Sequence, residues 1–303
     1  MRTRRIKSIS DYHRLRGLSQ PEHPLISLVD YAAIQHPAGI SEVNWVMDFY
    51  FISVKRGIGA KLKYGQQQYD FDEGVMFFIA PGQVIRIEPE TSLKEERSGW
   101  ILLVHPDFLW HTSLAKRLKQ YDFFSYSVHE ALFISGKEEV ILNSIIANIR
   151  QEYHNSIDKF SQGIIISQIE TLLNYSERFY QRQFITRKIS NHQTLDRLEA
   201  LLDRYFNSNE LVTEGLPSVQ FIAASLHVSP SYLGSLLKTL TGQSTQQHIH
   251  NKLIEKAKEK LSTTALSVSE IAYELGFEHS QSFSRLFKSK TQLSPLAFRA
   301  SFN

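Results

Sequence analysis

Two stretches near the C-terminal end of this 303-residue chain repeat one pattern. "VQFIAASLHVSPSYLGSLLKTLTGQS" begins at Val219, and "VSEIAYELGFEHSQSFSRLFKSKTQLS" begins at Val268. Ile222-Ala223 aligns with Ile271-Ala272, and Leu226 with Leu275. The second copy then gains one residue. After it, Leu233, Leu236, Leu237 and Lys238 align with Phe283, Leu286, Phe287 and Lys288, and Thr241 and Ser244 with Thr291 and Ser294. Whatever one copy folds into, the other must fold into as well. Two copies are too few for a solenoid, so the pattern predicts a pair of like modules.

Each copy reads as helix, tight turn, helix. Ser267 and Glu270 form an S-x-x-E capping box that starts the first helix of the second copy. Ala272 is small enough for a close helix crossing, Gly276 suits a left-handed helix end, and Phe277 is expected to turn inward. In the first copy Ser229 is a good N-cap and Pro230 a good first helical residue. Such a corner is what a helix-turn-helix needs: the first helix braces and the second enters a DNA major groove. Between His279 and Gln292, Phe283, Leu286 and Phe287 take the buried face, leaving Ser280, Gln281, Ser282, Ser284 and Arg285 outward near the start. Ser and Gln can read base edges, and Arg is the commonest partner of guanine. Lys288 and Lys290 suit phosphate contact, and the free N–H groups of the helix start suit a phosphate oxygen. The charge is local, since Glu210–Asn303 holds nine Lys or Arg against seven Glu. A plain helical hairpin with a solvated basic face is the competing reading, and the duplication weighs against it. Between the copies, Ile249, Leu253, Ala257 and Leu261 recur every four residues. They predict a spacer helix over about 245–262, some 25 Å long at 1.5 Å per residue. A spacer of that order could set two reading helices on one DNA face, whose turn is roughly 34 Å.

These residues resemble the AraC/XylS family of transcriptional regulators. "IAYELGFEHSQSFSRLFKSKTQLSPLAFR", from Ile271, looks very like the family signature, with its Gly-Phe corner, Phe283, Arg285 to Lys288 and Ser294-Pro295. Lys252-Leu253 and Ala257-Lys258 match the spacer helix. The resemblance covers the last hundred residues closely. It implies double-stranded operator DNA as the partner, with RNA polymerase a further one. Carried over by position, the base readers are Ser280, Gln281, Ser282, Ser284 and Arg285 in the second copy and Ser231, Gly234 and Ser235 in the first, with Lys238 alongside. The chain departs from the family at Ser235, where Arg is frequent, and Gly234 carries no side chain. The first reading helix is therefore expected to hold the backbone more than read sequence. Gln292 replaces the glycine that usually follows Thr291, pointing to a different closure of that helix.

Upstream, two more zones separate. From about Leu25 to Phe133, aromatic and β-branched runs ("DFYFISV", "GVMFFIA", "VIRIEP", "WILLVHP") are punctuated by Gly, Pro, Asp and Asn, which reads as an all-β barrel or sandwich. "APGQ" reads as a turn, with Pro81 fixing φ and Gly82 taking positive φ. From about Lys137 to Gln183, Val140, Ile141, Ile145, Ile149 and Tyr153 and then Ile165, Ile169, Leu172 and Leu173 recur at helical spacing, broken near "NSIDKF". Ile164 to Ile166 is apolar all round. A helical pair packed on the barrel and a homodimer seam are both open readings. More weakly, these zones are similar to the family's sensor half, a cupin-like barrel with a helical pair. Many relatives carry His ligands where this chain has Trp45 and Met47 before "DFY" and Ile85 after "PGQV", so neither metal nor cofactor is expected. His23, His36 and His105 read as loop or surface residues. A small organic effector is the expected guest, with Trp45, Asp48, Tyr50 and Phe78 as pocket candidates by position, against the alternative of a filled core.

The expected fold is therefore α+β and multi-domain: a cupin-like β-barrel with a helical pair, then an all-α double helix-turn-helix domain. Residues 1–24 form an N-terminal arm, whose basic stretch Arg2 to Lys7 reads as a disordered tail rather than a segment docked on the DNA-binding domain or on DNA, and 25–135 the barrel. Residues 136–185 form the pair, 186–200 a linker, and 201–303 the DNA-binding domain, with its corners over about 218–242 and 267–292. The chain has no cysteine, which excludes disulfides and thiolate metal sites. "MRTRRIKSIS" is followed by no apolar run of signal-peptide length, and no apolar run could span a bilayer, so a cytoplasmic setting is expected. A cupin-type enzyme is the rival from another class, and a ligand- or protein-binding module the second. The enzyme would need a ligand cluster or a nucleophile–base pair, and neither is evident. "GIGAKL" lacks the final glycine of a dinucleotide loop, and His248 and His250 point to different faces of one helix.

Overall fold

The computed structural model of the chain describes residues 3–35, 43–57, 71, 73–86, 97–154 and 160–301. The chain divides into two units, Met1–Arg187 and Lys188–Asn303.

In the first unit the β-branched and aromatic runs become β1 (Thr3–Ile6), β2 (Ile26–Asp30), β3 (Asn44–Met47), β4 (Tyr50–Arg56), β5 (Gly74–Ile79), β6 (Val84–Arg86), β7 (Ser98–Val104) and β8 (Leu132–Ile134). They make a three-stranded sheet, β1-β3-β6, and a five-stranded antiparallel sheet, β2-β7-β4-β5-β8. The run Trp100–Val104 is buried throughout because β7 lies inside the larger sheet, between β2 and β4. Its side chains still alternate. Ile101 and Leu103 enter a core shared with Ile6, Trp45 and Met47 of the smaller sheet, along with Phe51, Val75 and Phe77. Trp100 faces the other way and donates its indole N–H to Asn143 at 3.0 Å.

That other face is covered by helices. After the short α1 (Ile9–Leu15) and α2 (Ser113–Arg117) come α3 (Gly136–His154) and α4 (Ser161–Thr186). Gln183 of α4 is fully buried; its amide accepts from Phe133 N at 2.8 Å and donates to Ala131 O at 3.1 Å. The helix thus satisfies the open edge of β8, which would otherwise leave buried backbone groups unpaired. Arg182 joins α4 to Glu138 of α3 through two bonds of 3.0 and 2.8 Å. Val140, expected on the buried face of the first helix, is 70% exposed, and Ile164 is 42% exposed, while Leu142, Ile145, Ile149, Ile165 and Ile169 are buried. The break expected at "NSIDKF" falls largely on 155–159, outside the described residues, as does His36.

Three expectations change. The strands form two sheets and, among the described residues, no closed barrel. The chain bends at Asp48-Phe49, so β3 bonds to β1 and β6 while β4 bonds to β5 and β7. The N-terminal arm is no tail: β1 pairs in parallel with β3, and Ile6, Ile9 and Tyr12 are buried in the core. Residues 186–200 are not an extended linker either. Most belong to α5 (Lys188–Phe206), which carries Leu198, Leu201, Leu202 and Tyr205 into the second unit's core.

The rest of the second unit is α6 (Glu210–Glu214), α7 (Val219–Leu226), α8 (Pro230–Thr241), α9 (Thr245–Thr263), α10 (Val268–Glu274), α11 (Ser280–Thr291) and α12 (Pro295–Ala300). Ile249, Leu253, Ala257 and Leu261 of the spacer helix α9 are all buried, as their spacing predicts. Around them gather the repeat pairs Ile222 and Ile271, Ala223 and Ala272, Leu226 and Leu275, Leu233 and Phe283, and Leu237 and Phe287.

Candidate nucleic-acid interface

Local hydrogen bonding makes both corners alike. α7 ends with His227 N bonded to Ala224 O at 3.1 Å and Val228 N to Ala223 O at 3.0 Å. α10 ends with Gly276 N on Tyr273 O and Phe277 N on Ala272 O, both at 3.0 Å. This is a Schellman closure in each copy, with a left-handed residue at the turn, His227 (φ 59) or Gly276 (φ 78). A Cβ on Gly276 would stand 2.4 Å from Leu211 O and 2.9 Å from Gly215 Cα, so that corner needs glycine for space as well as for φ. Phe277 turns inward, its ring 5.6 Å from that of Phe283.

The second helices also start and stop in parallel. Ser229 caps α8, its hydroxyl accepting from Tyr232 N at 3.2 Å, and Pro230 takes the first helical position. The Ser267–Glu270 capping box of α10 is formed on both sides. Gly242 closes α8 at φ 73, and Gln292 closes α11 at φ 64, each N–H bonding the carbonyl four residues back. The different closure expected from Gln292 does not occur. The last carbonyl demands the same bond, and the glutamine takes up the left-handed backbone to make it. Thr241 and Thr291 also match, each donating to the carbonyl four residues earlier at 2.8 Å.

On α11, Gln281, Arg285 and Lys288 stand at i, i+4 and i+7, all exposed on one stripe, with exposed Ser282 beside it. Arg285 and Lys288 make no ion pair among the described residues. Ser280 and Ser284 are half-buried at the flanks of that face. Lys290 is exposed but lies in the last turn near His250 of α9, whose ionisation is pushed down by burial and by that ammonium. His279, at the start of α11, makes no side-chain capping bond. On α8, Ser231, Gly234, Ser235 and Lys238 also share one stripe, Lys238 exposed and the others half-buried. These four are the repeat equivalents of Gln281, Ser284, Arg285 and Lys288.

The spacer helix carries a different kind of charge. Lys252 reaches Asp203 at 2.5 Å and Glu255 at 3.0 Å, Lys256 reaches Glu259 at 2.7 Å, and Lys260 reaches Glu274 at 2.6 Å. Lys258 of the spacer lies 5.8 Å from the Phe298 ring and, like Lys238, Arg285, Lys288 and Lys290 of the reading helices, meets no carboxylate among the described residues.

The four effector candidates do not converge. Trp45 is part of the core between the sheets. Asp48 accepts from Arg5 Nε at 2.7 Å and so fastens β1. Phe78 lies on the opposite face of the larger sheet, among Phe123, Phe124 and Tyr180. Tyr50 alone borders an open cleft. His23 and His105 have structural partners: His23 accepts from Leu25 N at 3.1 Å, and His105 from Asp107 N at 3.2 Å. Among the described residues no three His, Asp or Glu gather as metal ligands, and no helix is long and apolar enough to cross a membrane.

Known proteins align with this helix-turn-helix region, and one aligns with most of the chain. Residues 222–301 match the family described as "Helix-turn-helix domain". The HTH-type transcriptional regulator YfiF of Bacillus subtilis, itself uncharacterized, is 28% identical over 258 residues, 83% of this chain and 77% of that one. The raffinose operon transcriptional regulatory protein RafR of Pediococcus pentosaceus is 40% identical over 76 residues, 25% of this chain and 27% of that protein. A solved AraC-type regulator from Chromobacterium violaceum is 21% identical with a TM-score of 0.33, covering 38% of this chain and 96% of that one. The C-terminal unit thus carries a helix-turn-helix domain, and the chain is similar to HTH-type transcriptional regulators.

Proposed function

We propose that the chain is a sequence-specific transcriptional regulator whose α8 and α11 read two successive major-groove segments of one operator. The observation that carries this is the exposed, unpaired stripe Gln281–Arg285–Lys288 behind a duplicated corner. Arg285 takes a guanine edge, Gln281 and Ser282 read adjacent bases, and Lys288 holds phosphate. Ser280, Ser284 and Lys290 border that contact. The Ser231–Gly234–Ser235–Lys238 stripe lays a smooth, small-residue face on the backbone and contributes little base discrimination. The spacer α9, of 19 residues and thus about 28 Å, holds the two helices at a separation of the order of one DNA turn.

The first unit serves as the sensing half, taking a small organic effector, and α3 and α4 serve as the homodimer seam. Exposed Val140, Phe160 and Ile164 support that seam, since apolar side chains of this size gain from being covered. Selection of random duplexes by the purified full chain tests the DNA reading. Two conserved elements about one turn apart should emerge, with retention falling steeply as salt rises. Failure to enrich any duplex over the starting pool defeats it. Sedimentation of Ile164→Lys against the parent tests the seam.

A further inference from the structure

Where β4 begins and β7 ends, a cleft of about 520 Å³ opens between Tyr50 and the segment from Pro106 to Leu118. That volume falls in the range of small-molecule sites, roughly 300–1,000 Å³. Trp110 on its wall is 66% exposed, an unusual position for the largest apolar side chain, and its indole meets the His111 ring edge to face at 5.4 Å. His111 holds a left-handed backbone, φ 63. A non-glycine residue there costs about 1–2 kcal/mol, and such strain concentrates at ligand clamps. Buried Leu109 and Leu118 form the floor. Lys116 is exposed at the rim and makes no ion pair among the described residues, and no carboxylate lines the cleft.

The wall is held from two sides. Thr112 Oγ1 donates to Leu109 O at 2.7 Å, which fixes the turn that carries Trp110 and His111. Gln162 Nε2 donates to Phe108 O at 2.7 Å, Arg117 pairs with Glu170, and Tyr121 Oη donates to Asn174 Oδ1 at 2.8 Å. Gln162, Glu170 and Asn174 all belong to α4, so the segment is tied to that helix before, within and after α2.

We propose that this cleft binds a small aromatic carboxylate. Trp110 and Tyr50 offer ring surface to its flat body, and the Lys116 ammonium takes its carboxylate. Burial pushes the Tyr50 phenol's pKa up, so its hydroxyl stays protonated and can donate to the same anion. The site also has a route to the rest of the unit, because an occupant pressing on the Trp110 turn presses on α4. The occupant's role as effector rests on the regulator reading above; its binding does not.

The probe is 2-naphthoate, compared with its neutral analogue 2-naphthamide, titrated into the full chain by calorimetry. Naphthoate should bind saturably and about tenfold more tightly than the amide. Trp110→Ala should weaken both probes by at least that factor. Lys116→Met should erase the preference for the anion and leave amide binding unchanged. Both side chains are exposed, so circular dichroism should show both variants folded. The proposal is overturned if naphthoate shows no saturable binding, or binds both variants as it binds the parent. Retention of the selected duplex without naphthoate separates the two claims. DNA binding without naphthoate binding removes the cleft alone, whereas naphthoate binding without DNA retention keeps the cleft and removes the regulator.

Discussion

Gly276 carries the sharpest test of the corner geometry. At φ 78 an alanine bears the left-handed cost of about 1–2 kcal/mol, partly offset by about 0.4–1 kcal/mol from a stiffer unfolded chain. Its Cβ would also stand 2.4 Å from Leu211 O and 2.9 Å from Gly215 Cα, and both are backbone atoms that cannot swing aside. Overpacking of this kind costs about 1–3 kcal/mol, which brings Gly276→Ala to about 2–4 kcal/mol. Gly242 is the matched control: φ 73, with nothing within 4 Å of its would-be Cβ, so Gly242→Ala should cost only about 0.5–1 kcal/mol. Gln292→Gly runs the same term backwards and should stabilise by about 0.5–1 kcal/mol. All three tryptophans, Trp45, Trp100 and Trp110, lie in the first unit. Urea unfolding followed by far-ultraviolet circular dichroism then reports helix loss, while tryptophan fluorescence serves as an internal control. For a slope near 2 kcal/mol per molar, Gly276→Ala should lower the helical midpoint by about 1–2 M and leave the fluorescence midpoint in place. Equal losses for Gly276→Ala and Gly242→Ala would refute the close approach of Gly276 to the α6 segment.

Arg285→Ala should cost about 1–3 kcal/mol on the selected duplex and little on scrambled DNA; equal loss on both would make Arg285 a phosphate clamp. Lys288→Ala should weaken binding to both duplexes alike and lower the salt slope by about one. Gly234→Ala should stabilise α8 by about 0.5–1 kcal/mol, because no atom lies within 4 Å. If it nonetheless weakens duplex retention, the backbone of α8 approaches DNA closely; unchanged retention speaks against that contact. Burial pushes His248 and His250 below the ordinary imidazole value of 6.5, Lys290 adding to the effect at His250 and Glu199 partly opposing it at His248. The unfolded imidazoles then take up protons before the folded ones. Helical stability should be full above about pH 6.5 and fall as pH drops below it. His248→Gln with His250→Gln should flatten that fall in thermal melts between pH 7 and 5.

Legibility in the sequence followed the range of the interactions. Capping bonds join residues three or four apart, so Ser229, Ser267 and Glu270 could be assigned from spacing, and each caps as assigned. The four-residue rhythm of α9 translated directly into its buried face. Strand positions were legible from the apolar runs, but strand partners were not. Nothing near Thr3–Ile6 announces that it pairs with Asn44–Met47 some forty residues away, so the segment read as a tail. The scatter of the four pocket candidates has the same cause. Trp45 and Phe78 both look like strand aromatics, and only the pairing of their strands puts one between the sheets and the other under α4.

By itself, the order of residues determined that there are two bent helix pairs, where each begins and ends, and which face of each second helix stays polar. Those features depend on bonds and spacings within one or two helical turns, and the chain carries them in any context. Only tertiary structure decided which cations remain unpaired. Lys252 and Lys260 are as basic as Arg285 in sequence, but they meet Asp203 and Glu274 from other helices while Arg285 meets no carboxylate among the described residues. Likewise the Trp110 cleft exists only because Gln162, Glu170 and Asn174, some fifty residues downstream, hold its wall in place.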